Sequence, residues 1–173
     1  MTSSAFRLEP PSDKHERSMF RCGEDALDRY LQTQVTQDNR RRIANCFVAV
    51  GAVTGDIAAY YTMSSAGIPF VDLPWDESKR LPRYPTIPAI RIGRLAVDHR
   101  FQGRGLGAAM LSDAVARALR ADAAAFALLV DAKNDQAVAF YQRYGFRTLV
   151  SQPRTLYLSL GTARKVFVQE DEP

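Results

Sequence analysis

Along this chain the apolar residues change period several times, and each change marks an element. The stretch FRLEP, residues 6 to 10, alternates as a short strand, and the Pro10–Pro11 pair ends it. After Gly23 the pattern turns helical, with Leu27, Tyr30, Leu31 and Val35 on one face, which predicts helices over roughly 24 to 42. NCFVAV and DIAAYYTMSSA, separated by the turn-like GAVTGD, predict a strand hairpin. Five prolines follow between residues 66 and 88 (Pro69, Pro74, Pro82, Pro85 and Pro88), and they exclude a regular central strand or a long helix there. A loop of that length in a compact domain is more often functional than idle.

AIRIGRLAVD, residues 89 to 98, predicts the most informative strand. Ile90 and Ile92 place apolar side chains on even positions, whereas Leu95 and Val97 place them on odd ones, so the two-residue period slips at Gly93-Arg94. A slip containing glycine predicts a β-bulge, which leaves backbone N–H groups free to bind something else. Next, Leu106, Met110, Ala114 and Ala118 form an i, i+4 stripe, flanked by Leu111, Val115 and Leu119, with Asp113, Arg117 and Arg120 opposite. FALLV at 126 to 130 is continuously apolar, as a buried parallel strand would be, so strand, helix and strand form a βαβ unit. NDQAVAFYQRYGF predicts a short helix capped by Asn134 or Asp135 and stopped by Gly145. FRTLV and RTLYLSL close the sheet as two strands, and the tail GTARKVFVQEDEP is apolar enough to add a strand or touch a partner.

Length and composition change this picture little. With 173 residues, 46% of them hydrophobic and 24% charged, the chain reads as one domain over residues 1 to 160 with a C-terminal tail at 161 to 173. It has no apolar run long enough to span a membrane, and MTSSAFRLEPPSD lacks a secretory pattern, so cytoplasmic residence is expected, with no membrane partner. Cys22 and Cys46 lack metal-ligand spacing, so they read as reduced thiols and no metal is expected. Charge matters more. Between residues 79 and 104, Lys79, Arg80, Arg83, Arg91, Arg94, Arg100 and Arg104 face Asp98 alone, a net +6 that exceeds the +4 of the whole chain. Such a window is either a solvated basic surface or a site for polyanions.

A glycine-rich turn ahead of a helix gathers unpaired N–H groups at the positive end of the helix dipole, and phosphate is its natural ligand. RFQGRGLGAAML, residues 100 to 111, is such a turn. A nucleotide-triphosphate loop needs Gly-Lys-Ser or Gly-Lys-Thr, and here Gly107 precedes Ala108 and Ala109. A dinucleotide fingerprint is satisfied in letters by Gly103, Gly105 and Ala108, with Asp131 placed for a ribose. Two features count against it: DHRFQ separates the strand from Gly103, and the 42 residues after Asp131 hold no second βαβαβ half. The third reading takes Gln102 to Gly107 as Q-x-x-G-x-G, which resembles the acyl-CoA pyrophosphate loop of the GNAT acyltransferase superfamily. The later run Asn134, Ala137, Phe140, Tyr141, Gly145 and Phe146 matches N-x-x-A-x-x-F-Y-x-x-x-G-F, and the likeness covers residues 6 to 160.

That resemblance implies an α/β, mixed-sheet GNAT fold with a bulged fourth strand, a V-shaped cofactor cleft and acetyl-CoA as cofactor. It implies that the backbone of Leu95, Ala96 and Val97 pairs with the pantetheine arm, and that Gln102, Gly103, Arg104, Gly105, Gly107 and Ala108 cradle the pyrophosphate. Asn134 and Tyr141 complete the cofactor contacts, and Tyr141 resembles the general acid that protonates the departing thiolate, with Tyr144 as the alternative. Phe140 and Tyr144, four apart on one helix face, read as core, and Tyr141 as rotated away from them.

Many lysine-directed members carry a glutamate base on the bulged strand, because a lysine amine has a pKa of about 10.4. Between Leu73 and Asp98 this chain has only Asp76 and Glu77, in the proline-rich loop. An α-amine titrates near pH 8, and lower when its carboxyl is esterified, so a substantial fraction is neutral without a dedicated base. The basic window favours an anionic carrier for that amine, which aminoacyl-tRNA provides, with Arg80, Arg83, Arg91 and Arg94 as its contacts. FRCGEDALDRYL, AAYYTMSSAGI, LPRYPTIPAIRIGRLAVD and LVDAKNDQAVAFYQRYGF further resemble the GNAT toxins of toxin-antitoxin pairs that acetylate charged tRNA. The resemblance implies a homodimer and a DNA-binding antitoxin as partners. Two other functions fit the same residues: a GNAT enzyme acting on a small-molecule or protein amine, and a regulator that binds acyl-CoA or nucleic acid without turnover. Arg40, Arg41 and Arg42 end a helix, where they serve either the helix dipole or a tRNA phosphate.

Overall fold

The computed structural model describes residues 5–167. Seven strands form one mixed sheet in the order β1-β2-β3-β4-β5-β7-β6. The described residues divide into two compact units, one of residues 5–64 with 93–114 and one of 65–92 with 115–167.

In the first unit β1 (Phe6–Glu9), β2 (Asn45–Gly51) and the start of β3 (Ile57–Pro69) pair antiparallel, as the hairpin pattern predicts. The β2–β3 register shifts at Ala49/Val50, where Ala49 faces Ala59 and Val50 faces Ile57, leaving Ala58 as the extra residue of a bulge. Residues 24 to 42, expected to be helical, form two helices, α1 (Asp25–Thr33) and α2 (Val35–Arg40). Their apolar face does what its spacing requires: Tyr30, Leu31 and Val35 are buried with Phe20, Val48 and Tyr60. The unit also takes the end of β4 (Thr86–Val97) and the start of α4 (Leu106–Arg120).

In the second unit β4 runs parallel to β5 (Ala127–Asp131), with Ala89 to Ile92 facing Ala127 to Val130. This is the βαβ unit read from the sequence. β7 (Thr155–Ser159) lies antiparallel between β5 and β6 (Arg147–Thr148), and α5 (Asp135–Arg143) connects β5 to β6. The α4 stripe is borne out at Leu106, Met110, Ala114 and Ala118, all buried.

Three expectations change. The proline-rich segment is less irregular than its composition suggests, because β3 continues to Pro69 and β4 starts at Thr86 and includes Pro88. Proline removes only a donor: the Pro88 carbonyl still accepts from the Phe126 N–H at 2.8 Å. Between the strands lie a 3-10 turn at Phe70–Asp72 and a short α3 (Trp75–Ser78). In β4 the buried positions change phase between Ala89 and Ile92, ahead of Gly93-Arg94, and Ile90, Leu95 and Val97 are half-buried while Ala96 is buried. A strand that covers apolar groups on both sides shows no clean alternation, so the letters could not choose the inner set. The tail adds no strand over its described residues but forms α6 (Leu160–Phe167), which buries Leu160 and Ala163; its last six residues lie outside the described ones.

Candidate functional site

In the first unit the end of β4 leads through a 3-10 turn at His99–Phe101 into the glycine loop and α4. The turn is built around Asp98, which is fully buried. Its carboxylate accepts the Arg100 N–H at 2.9 Å, the Arg21 N–H at 3.0 Å and the Arg100 Nε and Nη2 donors at 3.0 and 3.2 Å. Burial opposes the charge, but these bonds outweigh it and hold the carboxyl below the usual carboxylate range. The Asp98 N–H donates to the Ala58 carbonyl at 2.8 Å, so the bulge in β3 anchors the same turn. Gln102 acts as a brace, its Nε2 donating to the carbonyls of Val97 at 3.0 Å and Cys22 at 3.3 Å.

Gly103 and Gly105 have φ of +78° and +76°, and a Cβ at either would meet nothing within 4 Å. Glycine is required there by backbone conformation and not by crowding, since a side chain in the left-handed region costs about 1–2 kcal/mol. The first intrahelical bond recorded runs from the Ala109 N–H to the Gly105 carbonyl at 3.1 Å, so the N–H groups of Leu106, Gly107 and Ala108 precede it. No acidic residue stands in the first turn of α4, and Arg104 is exposed. Backbone donors ahead of the first helical bond, the positive end of a fifteen-residue helix and an exposed arginine, its guanidinium 5.7 Å from the Phe101 ring centroid, fit a pyrophosphate.

In the second unit Asn134 caps α5, its Oδ1 accepting the Ala137 N–H at 2.8 Å. Of the three aromatic residues on α5 and its cap, Tyr141 is the buried one, at 8% exposure, while Phe140 and Tyr144 are half-buried, which reverses the sequence expectation. Helical phase gave the angle between them correctly but not which direction was inward. Tyr141 packs on Phe140 and Phe146, with ring centroids 5.2 and 5.4 Å away. Among the described residues its hydroxyl has no hydrogen-bond partner, and none of the fully buried side-chain oxygens lacks one, so this hydroxyl is reachable from outside. Burial, with the charge of Asp131, pushes its pKa up to about 12. It therefore holds its proton throughout the neutral range.

The arginines separate into two groups. Arg91 is paired with Asp131, which also accepts from Thr155 Oγ1 at 2.9 Å. Arg94 lies 3.6 Å over the Tyr30 ring, whose hydroxyl donates to Asp38 at 2.8 Å. Arg100 serves Asp98 and sits 3.6 Å from Asp56. Counting charges along the chain included Asp98 but missed Asp131, Tyr30 and Asp56, each distant in sequence. Arg80 and Arg83 are exposed and, among the described residues, have no ion-pair partner.

Arg40, Arg41 and Arg42 are exposed at the end of α2. Arg42 is the one non-glycine residue with positive φ among the described residues, at +59°. The Ile43 N–H bonds the Asp38 carbonyl at 2.9 Å and the Arg42 N–H bonds that of Asn39 at 3.2 Å, which is a Schellman cap with arginine where glycine is usual. Cys46 is buried and its thiol is pushed up to about 12 by that burial, so it is no thiolate nucleophile. No helix among the described residues is long and apolar enough to cross a membrane.

A family model described as an acetyltransferase (GNAT) domain matches residues 83–156. The chain is 34% identical over 158 residues to the tRNA-acetylating toxin of Mycobacterium tuberculosis (strain ATCC 25618 / H37Rv), covering 90% of this chain and 93% of that one. The solved structure of AtaT complexed with acetyl-methionyl-tRNAfMet shares the fold with a TM-score of 0.84 and 27% identity, covering 94% of this chain and 99% of that chain. AtaTR bound with AcCoA matches with a TM-score of 0.78 and 26% identity, over 94% of this chain and 98% of that chain.

Proposed function

Since the chain belongs to the GNAT acetyltransferase family, we propose that it transfers the acetyl group of acetyl-CoA to the α-amino group of aminoacyl-tRNA and thereby acts as a toxin that blocks translation. The observation that carries the choice of amine is the composition of β4, TIPAIRIGRLAV, which brings arginines and no carboxylate. Without a base on that strand, the amine must arrive largely neutral, as the α-amine of an aminoacyl ester does.

Acetyl-CoA supplies an acetyl group activated as a thioester. The left-handed glycines Gly103 and Gly105, with Arg104 and the first N–H groups of α4 at Gly107 and Ala108, are proposed to hold its pyrophosphate. Gln102 supports that cradle by fixing the loop to the end of β4. The backbone of Leu95, Ala96 and Val97 is proposed for the pantetheine arm, and the N–H groups there for the developing oxyanion. Asn134 holds the first turn of α5, on which Tyr141 sits. Tyr141 keeps its proton on the hydroxyl oxygen until a thiolate accepts it. Arg80 and Arg83 are proposed as phosphate contacts, while Arg91 and Arg94 are held by Asp131 and Tyr30 and shape the strand beside the amine.

A homodimer, a DNA-binding antitoxin partner and residence in the cytoplasm, where charged tRNA is found, belong to the same proposal. The test is transfer of labelled acetyl from acetyl-CoA to isolated charged tRNA. Label recovered on the amino acid is the expected result. Label only on a protein or small amine, or binding of acetyl-CoA without transfer, refutes the substrate or the reaction respectively.

A further inference from the structure

Trp75 is the only tryptophan in the chain, and it stands 72% exposed on the four-residue α3. Nine residues on, Tyr84 is 62% exposed. Large aromatic surface turned to water is unfavourable and asks for a partner. The segment that carries both is held at its two ends. The Phe70 N–H donates to the Pro85 carbonyl at 3.0 Å, and the Asp72 carbonyl accepts the Val150 N–H at 2.9 Å. The Asp72 carboxylate is buried and accepts from Ser151 Oγ and from Gln152 Nε2, the latter at 3.2 Å. Such a segment presents its side chains without first having to be ordered.

Its charges are sorted. Both acids are engaged by the body of the unit: Asp76 takes two bonds from Arg147 at 2.8 and 2.9 Å, and Glu77 takes the Tyr157 hydroxyl at 3.3 Å. Lys79, Arg80 and Arg83 are exposed, and among the described residues none is in an ion pair. The segment displays two aromatic rings with three cations between them, and the exposed Asp76 among them is neutralised by Arg147. Aromatic residues and arginine also mark protein-docking cores, but lysine is depleted there, whereas rings interleaved with exposed cations are what a single-stranded polynucleotide binds, bases on rings and phosphates on cations.

We propose that Trp75 and Tyr84, with Lys79, Arg80 and Arg83, form a stacking platform for the single-stranded 3′ end of tRNA. The inference rests on tRNA being the substrate carrier. It adds a recognition mode based on ring stacking to one based on charge.

The lone tryptophan makes the platform directly measurable. Intact uncharged tRNA is expected to change Trp75 emission saturably, and the same tRNA trimmed of its 3′ single-stranded nucleotides to leave it unaltered. Trp75→Ala should raise KM for charged tRNA about tenfold with kcat and acetyl-CoA affinity kept, and Trp75→Phe should restore most of it, in line with the cost of losing one stacked base. The exposed position keeps these variants folded. Equal response to trimmed tRNA, an unmoved KM in Trp75→Ala, or emission that changes when the protein alone is diluted, as self-association through Trp75 would cause, each overturns the platform. Acetylation of charged tRNA with no emission change refutes the platform alone. Emission change with intact tRNA and no acetylation refutes the reaction and leaves the platform supported.

Discussion

The glycine loop after β4 and the proline loop between β3 and β4 are both fastened by a buried aspartate, Asp98 in one and Asp72 in the other. They use that fastening differently. Around Asp98 the chain is rich in glycine, side chains are few, and what is offered outward is backbone N–H. Around Asp72 prolines remove N–H groups, and what is offered outward is rings and cations. A loop that presents backbone recognises charge at short range, whereas a loop that presents side chains recognises planes and longer polyanions. The same staple therefore supports two kinds of specificity, and the composition of the loop decides which.

The largest expected effect comes from a residue in neither loop. Tyr141→Phe should lower kcat by about a hundredfold or more while acetyl-CoA affinity, measured by titration calorimetry, stays unchanged. Retained turnover would remove Tyr141 from the proton-donor role.

The two staples should then fail separately. Asp98→Ala leaves the Arg21 and Arg100 donors without their acceptor and should cost about 3 kcal/mol in denaturant unfolding, with acetyl-CoA affinity the binding property lost. Asp72→Ala should cost about 2 kcal/mol and raise KM for charged tRNA with acetyl-CoA affinity kept. An exchange of these two signatures would abolish the distinction between the loops.

Acid sharpens the first of them. The folded pKa of Asp98 lies below its unfolded value, so its contribution to stability is complete above the unfolded pKa of about 3.9 and is lost as pH falls through the lower folded value. Asp98→Asn should show a shallower loss of stability than the parent protein over that acid window, followed by circular dichroism.

The smallest effects concern backbone conformation. Gly105→Ala adds a methyl group in open space, so its cost of about 1 kcal/mol comes from φ alone, and Gly105→Asn should cost less. Arg42→Gly is the reverse experiment and should raise stability by up to about 1 kcal/mol. Weaker tRNA binding in that variant would show that the strained arginine is retained for its charge.

The sequence carried most of the fold because the elements rest on local periodicity: the α4 stripe, the hairpin and the Asn134 cap are all properties of neighbours in the chain. The glycine loop was legible for the same reason, since a left-handed turn and a helix start are both local. The state of the arginines was not. Arg91 meets Asp131 forty residues on and Arg94 meets Tyr30 sixty-four residues back, so charge counted along a window overstated what is free for a ligand. The platform proposed at Trp75 was hidden in the same way, because only the remote partners Arg147, Tyr157 and Gln152 reveal that the acids are engaged and the loop is fixed.

The bulge at Ala58 makes the length of β3 a constraint as strict as its composition. Deleting that one residue would leave Val48 with Tyr60 and Val50 with Ile57 to pair in an unbroken ladder, but it would close the bulge and withdraw the carbonyl that holds the Asp98 turn. Descendants of this sequence can therefore replace side chains along the strand far more readily than they can shorten it.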